Sequence, residues 1–285
     1  MERMETTAHT KLLGIIGTPI EHTLSPKMHS FFAHKTGMDT VYLAFDVADG
    51  DFADVISAAK NMGALGFNIT SPYKIRVIDS IDVLDPEAEL MGTVNTIVNR
   101  GGKWHGYNTD GDGFVNSLED ELGDLKKKHV LLLGAGGSAR SVAYKFAQKG
   151  VGSITISARN EQNINKIGDV IEKNTACAFC SGFSEKQKYD IIVNTTPLGM
   201  HPYEKENPFS QHINVLDRDT VCCDLIYNPR KTQFLEEAEK RGAKIVNGLP
   251  MLVMQGVYAY ELFCEAKLGA ECYAEAMQLF SEFRI

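Results

Sequence analysis

Short apolar runs alternate with helical segments through the first third of the chain. Three runs have the length and the β-branched or aromatic content of buried strands: "LLGIIG", "TVYLAFDV" and "LGFNIT". Between them, apolar residues recur at helical spacing in two segments, which end at Gly37 and Gly63. This order of strand, helix, strand, helix and strand predicts right-handed crossovers and a parallel sheet.

A short helix and a hairpin are predicted next. The helix begins after Asp85, because Asp85 can cap it, Pro86 suits its first turn and acidic residues follow. The apolar segments that come afterwards flank a turn at Arg100–Gly102, which predicts a β-hairpin.

A second alternating series begins at Lys126 and predicts a second parallel sheet. Its apolar runs, with helical segments between them, are "HVLLL", "SITIS", "DIIVN", "TVCCDLI" and "AKIVN". The last two segments of the chain have helical patterns with no strand after them, so we expect them to pack on the first domain. The sequence therefore predicts an α/β protein with a first domain of residues 1–112, completed by residues 248–285, and a second domain of residues 113–247.

Length, composition and charge agree with this division and exclude several classes of protein. The chain has 285 residues, with 44% hydrophobic and 23% charged residues, which fits two ordinary globular domains. Its formal net charge of -8 disfavours nucleic acid and anionic membranes as partners. No apolar run is long enough to span a bilayer, and the polar N-terminus lacks the apolar core of a signal peptide, so we expect a cytoplasmic protein.

The six cysteines are expected to be free thiols, as is usual in cytosolic proteins of this size. Cys177 and Cys180 form a C-x-x-C pair, but the chain has no second such pair to complete a zinc site. We therefore expect no metal.

A glycine-rich loop follows the first apolar run of the second domain and opens a helical segment. In the pattern G-x-G-x-x-A, Gly134 permits a tight turn, Gly136 lets the backbone approach a pyrophosphate, and Ala139 lets the helix pack on the strand. The helix N-terminus offers free N–H groups to the phosphates. This strand–turn–helix context predicts a Rossmann-type dinucleotide-binding domain, and the substrate domain then comes first in the chain.

The end of the next strand selects between the two nicotinamide cofactors. An acidic residue there binds the ribose hydroxyls of NAD, and a basic residue accepts the 2′-phosphate of NADP. Arg159 favours NADP, whereas Glu161 could bind the ribose of NAD or could be a solvated surface charge. We expect NADP, with NAD as the alternative.

Polar residues cluster in the first domain beside the ends of predicted strands. Ligands of parallel sheets bind beyond these carboxyl ends, and clustered hydroxyls and amides suit a ligand that is rich in hydroxyl groups. The clustered residues are Thr23, Ser25, Asn68, Thr70, Asn95, Asn108 and Asp110.

Lys74 follows two of these residues and could serve a hydride-transfer reaction. Reduction of a ketone needs a proton for the developing alkoxide, which a lysine can donate while a carboxylate such as Asp110 orients it. From the residues alone, Lys74 could equally be a surface lysine after a turn, and Asp110 a turn or capping residue.

The order of the polar and glycine motifs resembles that of the shikimate dehydrogenase family over nearly the whole chain. The motifs are "GTPIEHTLSP", "NITSPYK", "GTVNTI", "YNTDGDG", "GAGGSAR", "NTTPLGM", "DLIYNP" and "NGLPMLVMQG". The resemblance implies reversible reduction of 3-dehydroshikimate to shikimate with NADPH, on the pathway to chorismate and aromatic amino acids. It also implies a two-domain fold with the active site in the cleft between the domains, and a monomer or homodimer.

The resemblance also implies a role for individual residues. Lys74 would be the catalytic lysine and Asp110 its partner carboxylate. The substrate would be bound by Thr23, Ser25, Asn68, Thr70, Asn95, Tyr227 and Gln255. The cofactor would be bound by Gly134, Ala135, Gly136, Gly137, Ser138, Arg159, Asn160, Leu225 and Gly248.

Two departures from the family pattern leave alternatives open. Thr23 stands where most members have serine, and of the usual Asn-Arg-Thr after the second strand only Arg159 is present. One alternative is therefore a quinate/shikimate dehydrogenase that prefers NAD. Another, of a different class, is a non-catalytic regulator that binds NAD(P)H or a shikimate-like ligand. The presence of both Lys74 and Asp110 speaks against a regulator, because binding alone needs no proton-transfer pair.

Overall fold

The computed structural model describes residues 6–282 and divides them into two compact units. The first unit contains the described residues up to Thr109 together with those from Val253 onward, and the second is Asp110–Leu252. The sequence predicts one division after residue 112 and another after residue 247. Each unit contains one six-stranded sheet.

The first unit has a mixed sheet in the order β2-β1-β3-β5-β6-β4. Its strands are β1 (Lys11–Gly17), β2 (Thr40–Asp46), β3 (Gly66–Ile69), β4 (Val83–Leu84), β5 (Thr96–Arg100) and β6 (Lys103–Tyr107). The first three strands are parallel, as predicted. The predicted hairpin forms β5 and β6, which adds antiparallel pairs to the sheet, and the two-residue strand β4 was not predicted.

Helices cover this sheet and begin and end largely where the sequence indicates. They are α1 (Ser25–Thr36), α2 (Phe52–Asn61), α3 (Pro86–Met91), the part of α8 (Leu249–Cys264) from Val253, and α9 (Gly269–Ser281). Helix α1 ends at Gly37, whose φ of 67° suits glycine. Asp85 caps α3 by accepting hydrogen bonds from the backbone N–H groups of Glu87 and Ala88. The described residues from Val253 onward belong to this first unit.

The second unit has an entirely parallel sheet in the order β12-β11-β10-β7-β8-β9. Its strands are β7 (His129–Leu133), β8 (Ser153–Ser157), β9 (Ala178–Ser181), β10 (Ile191–Asn194), β11 (Val221–Asp224) and β12 (Lys244–Val246). Its helices are α4 (Asp110–Leu122), α5 (Gly137–Gln148), α6 (Glu161–Asn174), α7 (Gln233–Lys240) and the first residues of α8. The strand order reverses between β7 and β10, which is where doubly wound sheets bind their ligands.

Within residues 6–282, no helix is both long and apolar enough to cross a membrane.

Candidate active site

The turn that carries Lys74 is fixed by its neighbour in the chain. Tyr73 is buried, stacks on Phe52 with ring centroids 4.2 Å apart, and donates a hydrogen bond of 2.5 Å to the carbonyl of Val47. Its backbone N–H donates to the carbonyl of Thr70 at 2.9 Å. These contacts of Tyr73 hold the main chain beside Lys74. Lys74 itself is half-buried, so it keeps access to solvent.

The backbone joins this turn to the segment that precedes β5. The carbonyl of Lys74 accepts a hydrogen bond of 2.8 Å from the N–H of Val94, the residue before Asn95. Two of the predicted polar motifs therefore lie side by side in the first unit.

Asn95 is buried and uses both ends of its amide. Its Nδ2 donates to Thr109 Oγ1 at 2.9 Å and to Gln255 Oε1 at 3.5 Å. Its Oδ1 accepts from the Thr109 N–H at 2.8 Å and from the Thr96 hydroxyl at 2.9 Å. Residues from β5, from the chain after β6 and from α8 thus converge on one amide.

Asn68 belongs to the same group of hydrogen bonds. Its Nδ2 donates to Thr96 Oγ1 at 3.1 Å, and its Oδ1 accepts from the hydroxyl of Tyr42 at 2.8 Å. Tyr42 stacks on the buried His29, with the two ring centroids 4.1 Å apart. Burial raises the pKa of Tyr42 well above its ordinary value and lowers that of His29 to about 3, so both side chains are neutral.

Thr23 and Ser25 are hydrogen-bonded to each other. The Thr23 hydroxyl donates to Ser25 Oγ at 3.1 Å and accepts from the Ser25 N–H at 3.2 Å. The Ser25 side chain also acts to lower the pKa of Tyr42, against the larger effect of burial. We call the whole set the polar network: Thr23, Ser25, Tyr42, Asn68, Asn95, Thr96, Thr109 and Gln255.

Four other residues that the sequence predicts for the substrate site are not part of the polar network. Thr70 is half-buried in the turn before Lys74, and the Asn108 side chain donates to the carbonyl of Thr93 at 3.0 Å. Asp110 is buried at the start of α4, and Tyr227 is half-buried beyond β11, both in the second unit. The pairing of Lys74 with Asp110 stays a prediction.

The glycine loop of the second unit has the geometry that a close turn requires. Gly134 has a φ of 112°, and its N–H donates to the carbonyl of Ser157 at 2.9 Å. A Cβ at this position would lie 2.6 Å from Thr195 Oγ1. Only glycine fits there without a shift of its neighbours.

The start of α5 fits the pyrophosphate of a dinucleotide. A Cβ on Gly136, the N-cap residue, would meet no described heavy atom within 4 Å, so the loop is open on that side. Ala135 and Ala139 are buried beneath it, while Gly137 and Ser138 begin the helix half-buried. Backbone N–H groups at such a helix start bind phosphate.

The segment after β8 holds the residues predicted to choose between NADP and NAD. Arg159 and Glu161 are both exposed, and Glu161 is the first residue of α6. Asn160 caps this helix, because its Oδ1 accepts a hydrogen bond of 3.0 Å from the N–H of Asn163. The side-chain oxygen of Asn160 therefore caps α6, in addition to the cofactor binding that is predicted for this residue.

Leu225 and Gly248 are brought together by the turns that follow β11 and β12. A Cβ on Gly248 would lie 2.1 Å from the carbonyl oxygen of Leu225, and the Gly248 N–H donates to the carbonyl of Ile226 at 3.0 Å. The close approach of these backbones requires glycine at this position.

Asp224 anchors this turn. The sequence did not indicate this role, because Asp224 lies within the apolar run "TVCCDLI". It is buried and accepts hydrogen bonds from Asn194 Nδ2 at 3.1 Å, from the N–H of Ile226 at 3.0 Å and from the Thr232 hydroxyl at 2.7 Å. Burial raises its pKa to about 6, although the three donors act in the opposite direction.

Between residues 6 and 282 the structure contains no group of three or more histidine, cysteine or acidic side chains that could hold a metal ion.

Models of two protein families match the chain. The model described as the shikimate dehydrogenase substrate binding domain matches residues 15–97, and that described as shikimate / quinate 5-dehydrogenase matches residues 116–233.

Individual relatives match over most of their length. The shikimate dehydrogenase (NADP(+)) of Methanococcus vannielii is 39% identical over 265 residues, which are 89% of this chain and 91% of that protein. A crystal structure of a shikimate dehydrogenase in complex with NADP+ has a TM-score of 0.88 and 38% identity, with 98% of both chains covered. Shikimate 5-dehydrogenase from Listeria monocytogenes, in complex with shikimate and NAD, has a TM-score of 0.84 and 34% identity, covering 96% of this chain and 98% of that one.

Proposed function

Because this chain belongs to the shikimate dehydrogenase family, we propose that it catalyses the reversible, NADP-dependent interconversion of shikimate and 3-dehydroshikimate. The polar network is the observation that carries this proposal. Its hydrogen bonds join side chains from five separated parts of the sequence, at Tyr42, Asn68, Asn95 with Thr96, Thr109 and Gln255, as a site for a small polyol acid requires. The reaction belongs to the pathway to chorismate and aromatic amino acids.

The network supplies both kinds of group that such a ligand needs. The hydroxyls of Thr23 and Ser25 can donate to a carboxylate, and the amides of Asn95 and Gln255 can pair with ring hydroxyls. Because these side chains already hold one another, little rotamer freedom is lost when the substrate binds.

Lys74 is proposed as the group that gives a proton to the substrate oxygen during reduction and takes it back during oxidation. Asp110 is proposed to orient the ammonium group of Lys74. Bound NADPH supplies the hydride for this reaction. Main-chain hydrogen bonds at Thr70 and Val94 hold the turn around Lys74, so the lysine is presented from a fixed backbone.

The second unit provides the cofactor site in this proposal. The open start of α5 binds the pyrophosphate through backbone N–H groups, and the turn at Leu225 and Gly248 lies beside the nicotinamide. Arg159 favours the 2′-phosphate of NADP. The relative from Methanococcus vannielii is named for NADP(+), so neither an NAD-preferring quinate enzyme nor a non-catalytic regulator is favoured.

We also propose a cytoplasmic location and a monomer or homodimer. All six cysteines are free thiols, as is usual in a reducing compartment.

Initial rates test the function directly. Oxidation of shikimate and of quinate is measured with NADP+ and with NAD+, for the full chain and for Lys74→Ala. We expect shikimate with NADP+ to have the highest kcat/KM. Higher kcat/KM with quinate and NAD+ would overturn the proposal in favour of the quinate enzyme. Binding of both ligands without turnover would overturn it in favour of a regulator.

A further inference from the structure

Arg140 reaches from one helix start of the second unit to the next. It lies in the first turn of α5, where its N–H donates to the carbonyl of Gly136 at 3.1 Å. Its Nη2 lies 3.5 Å from Oδ1 of Asn163, which is in the first turn of α6. The guanidinium group therefore lies between the glycine loop and the segment that follows β8.

The positive charge of Arg140 has no counter-charge within the described chain. Its Nε is buried without a hydrogen-bond partner, and no described carboxylate forms an ion pair with the group. Burial lowers its pKa, and no neighbouring charge acts against that effect. By contrast, the next two cations along the chain are paired, Lys145 with Asp112 at 3.1 Å and Lys149 with Glu119.

A partly buried guanidinium without an anion is costly, since its charge and its buried Nε–H group lose water without replacement. A bound anion would remove that cost. Arginine pairs especially well with phosphate, because its planar fork can donate two parallel hydrogen bonds.

The location of Arg140 indicates which phosphate of the cofactor it would bind. In the proposed cofactor site, the pyrophosphate would be held at the start of α5 by backbone N–H groups. The adenosine ribose of Rossmann-type domains lies at the end of the second strand, here β8, which ends at Ser157. The contact of Arg140 with Asn163 directs its guanidinium toward that end and away from the backbone of the glycine loop.

We propose that Arg140 binds the 2′-phosphate of NADP together with Arg159 and so determines the preference for NADP over NAD. This proposal rests on the proposed function, in which NADP is the cofactor. The segment from Ala158 to Asn163 contains one carboxylate, that of Glu161, against the two guanidinium groups of Arg140 and Arg159, and this balance of charge favours a phosphate.

Calorimetric titration of the full chain with NADP+ and with NAD+, in the absence of substrate, tests this inference. For Arg140→Met, which keeps an unbranched stem, we expect the Kd of NADP+ to rise about 10- to 100-fold, as for a lost hydrogen bond to a charged group. The Kd of NAD+ should change by less than about twofold, because it has no 2′-phosphate. Lys173→Met, at the far end of α6, removes the same charge and should leave both constants unchanged.

A second variant keeps Arg140 and changes only its neighbour. Asn163→Asp places a carboxylate beside the guanidinium, which should pair with it and repel the phosphate. It should weaken NADP+ and leave NAD+ unchanged, and an acidic residue in the first turn of α6 is compatible with the helix.

Phosphorus NMR gives a readout that is independent of affinity. A phosphate monoester has a second pKa of about 6, and nearby cations lower it. We expect the pKa of the bound 2′-phosphate to be lower in the wild-type protein than in Arg140→Met. Equal pKa values in the two proteins would overturn the inference.

The outcomes separate this inference from the proposed function. Equal losses of NADP+ and NAD+ affinity in Arg140→Met, or no loss of either, would overturn the role of Arg140 and leave the shikimate activity untouched. Selective loss of NADP+ affinity in a chain that does not oxidise shikimate would support Arg140 and overturn the proposed function.

Discussion

The hydroxyl of Tyr42 donates a hydrogen bond of 2.8 Å to Oδ1 of Asn68, and both side chains are buried. Tyr42 comes from the edge strand β2, whereas Asn68 comes from β3, with β1 between them. The bond orients the Asn68 amide, so that its Nδ2 faces Thr96. Tyr42 is therefore a positioning residue for the polar network.

Tyr42→Phe should weaken substrate binding without removing any group proposed to contact substrate. The ring stack on His29 is retained, but the Asn68 amide loses a partner, and we expect kcat/KM for shikimate to fall about tenfold. The Kd of NADP+ should not change. Tyr260→Phe is the matched control, because its buried hydroxyl bonds Thr36 outside the network, and it should lower the free energy of unfolding alone. Equal kinetic losses in the two variants would contradict the prediction.

Lys74→Ala should lower kcat at least about a hundredfold with a smaller change in KM, as expected for a lost proton donor. Steady-state kinetics with shikimate and NADP+ measure this. Lys103→Met, at an exposed position of the hairpin, serves as the control and should have wild-type rates. Unchanged turnover in Lys74→Ala would remove Lys74 from the mechanism.

Gly136→Ala should separate cofactor binding from stability. A Cβ there meets no described heavy atom within 4 Å, so the free energy of unfolding should change by less than about 1 kcal/mol, the scale of an exchange at an N-cap. The new methyl would occupy the space proposed for the pyrophosphate, and we expect the Kd values of NADP+ and NAD+ to rise together by at least about tenfold. Gly50→Ala has similar open space and should leave both constants unchanged. Wild-type affinity in Gly136→Ala would place the pyrophosphate elsewhere.

Asp224 should make stability depend on pH. Its pKa is raised from 3.8 to about 6 by burial, so between these values the folded state binds a proton that the unfolded state has released. Its contribution is therefore most favourable below pH 3.8 and is lost as the pH rises toward 6. Two pKa units correspond to about 3 kcal/mol.

Asp224→Asn removes this titration and provides the measurement. Urea unfolding of both proteins is followed from pH 4 to pH 8. The wild-type free energy of unfolding, minus that of the variant, should fall by about 3 kcal/mol across this range. A difference that does not change with pH would show that Asp224 titrates normally.

The apolar runs and the hairpin turn predicted ten of the twelve strands found between residues 6 and 282, because apolar residues recur in these strands even where, as in β2 and β12, many positions are only partly buried. Of the two that were missed, β4 has only two residues, and β9 has four residues that are mostly exposed. The hairpin was predicted, but its antiparallel pairing with β3 depends on how the segments meet in space.

The candidate site was predicted as a set of residues and not as a hydrogen-bonded group. Motif and resemblance identified Asn95 and Gln255, yet their contact spans a sequence separation that no periodicity encodes. Tyr42 and Asp224 were missed for a related reason. Each is a polar residue within or at the end of an apolar strand, and only the tertiary structure shows that it has buried partners.

The return of α8 and α9 to the first unit sets an order for folding during synthesis. Gly256 packs against Met28, and Gly66 packs against Phe263, so the first unit needs helices that the ribosome makes after both sheets. The second unit is a continuous stretch and is complete before them. Domains of a growing chain generally fold from the N-terminus onward, but here the nascent N-terminal sheet must wait for its last helices while the later unit acquires its native structure first.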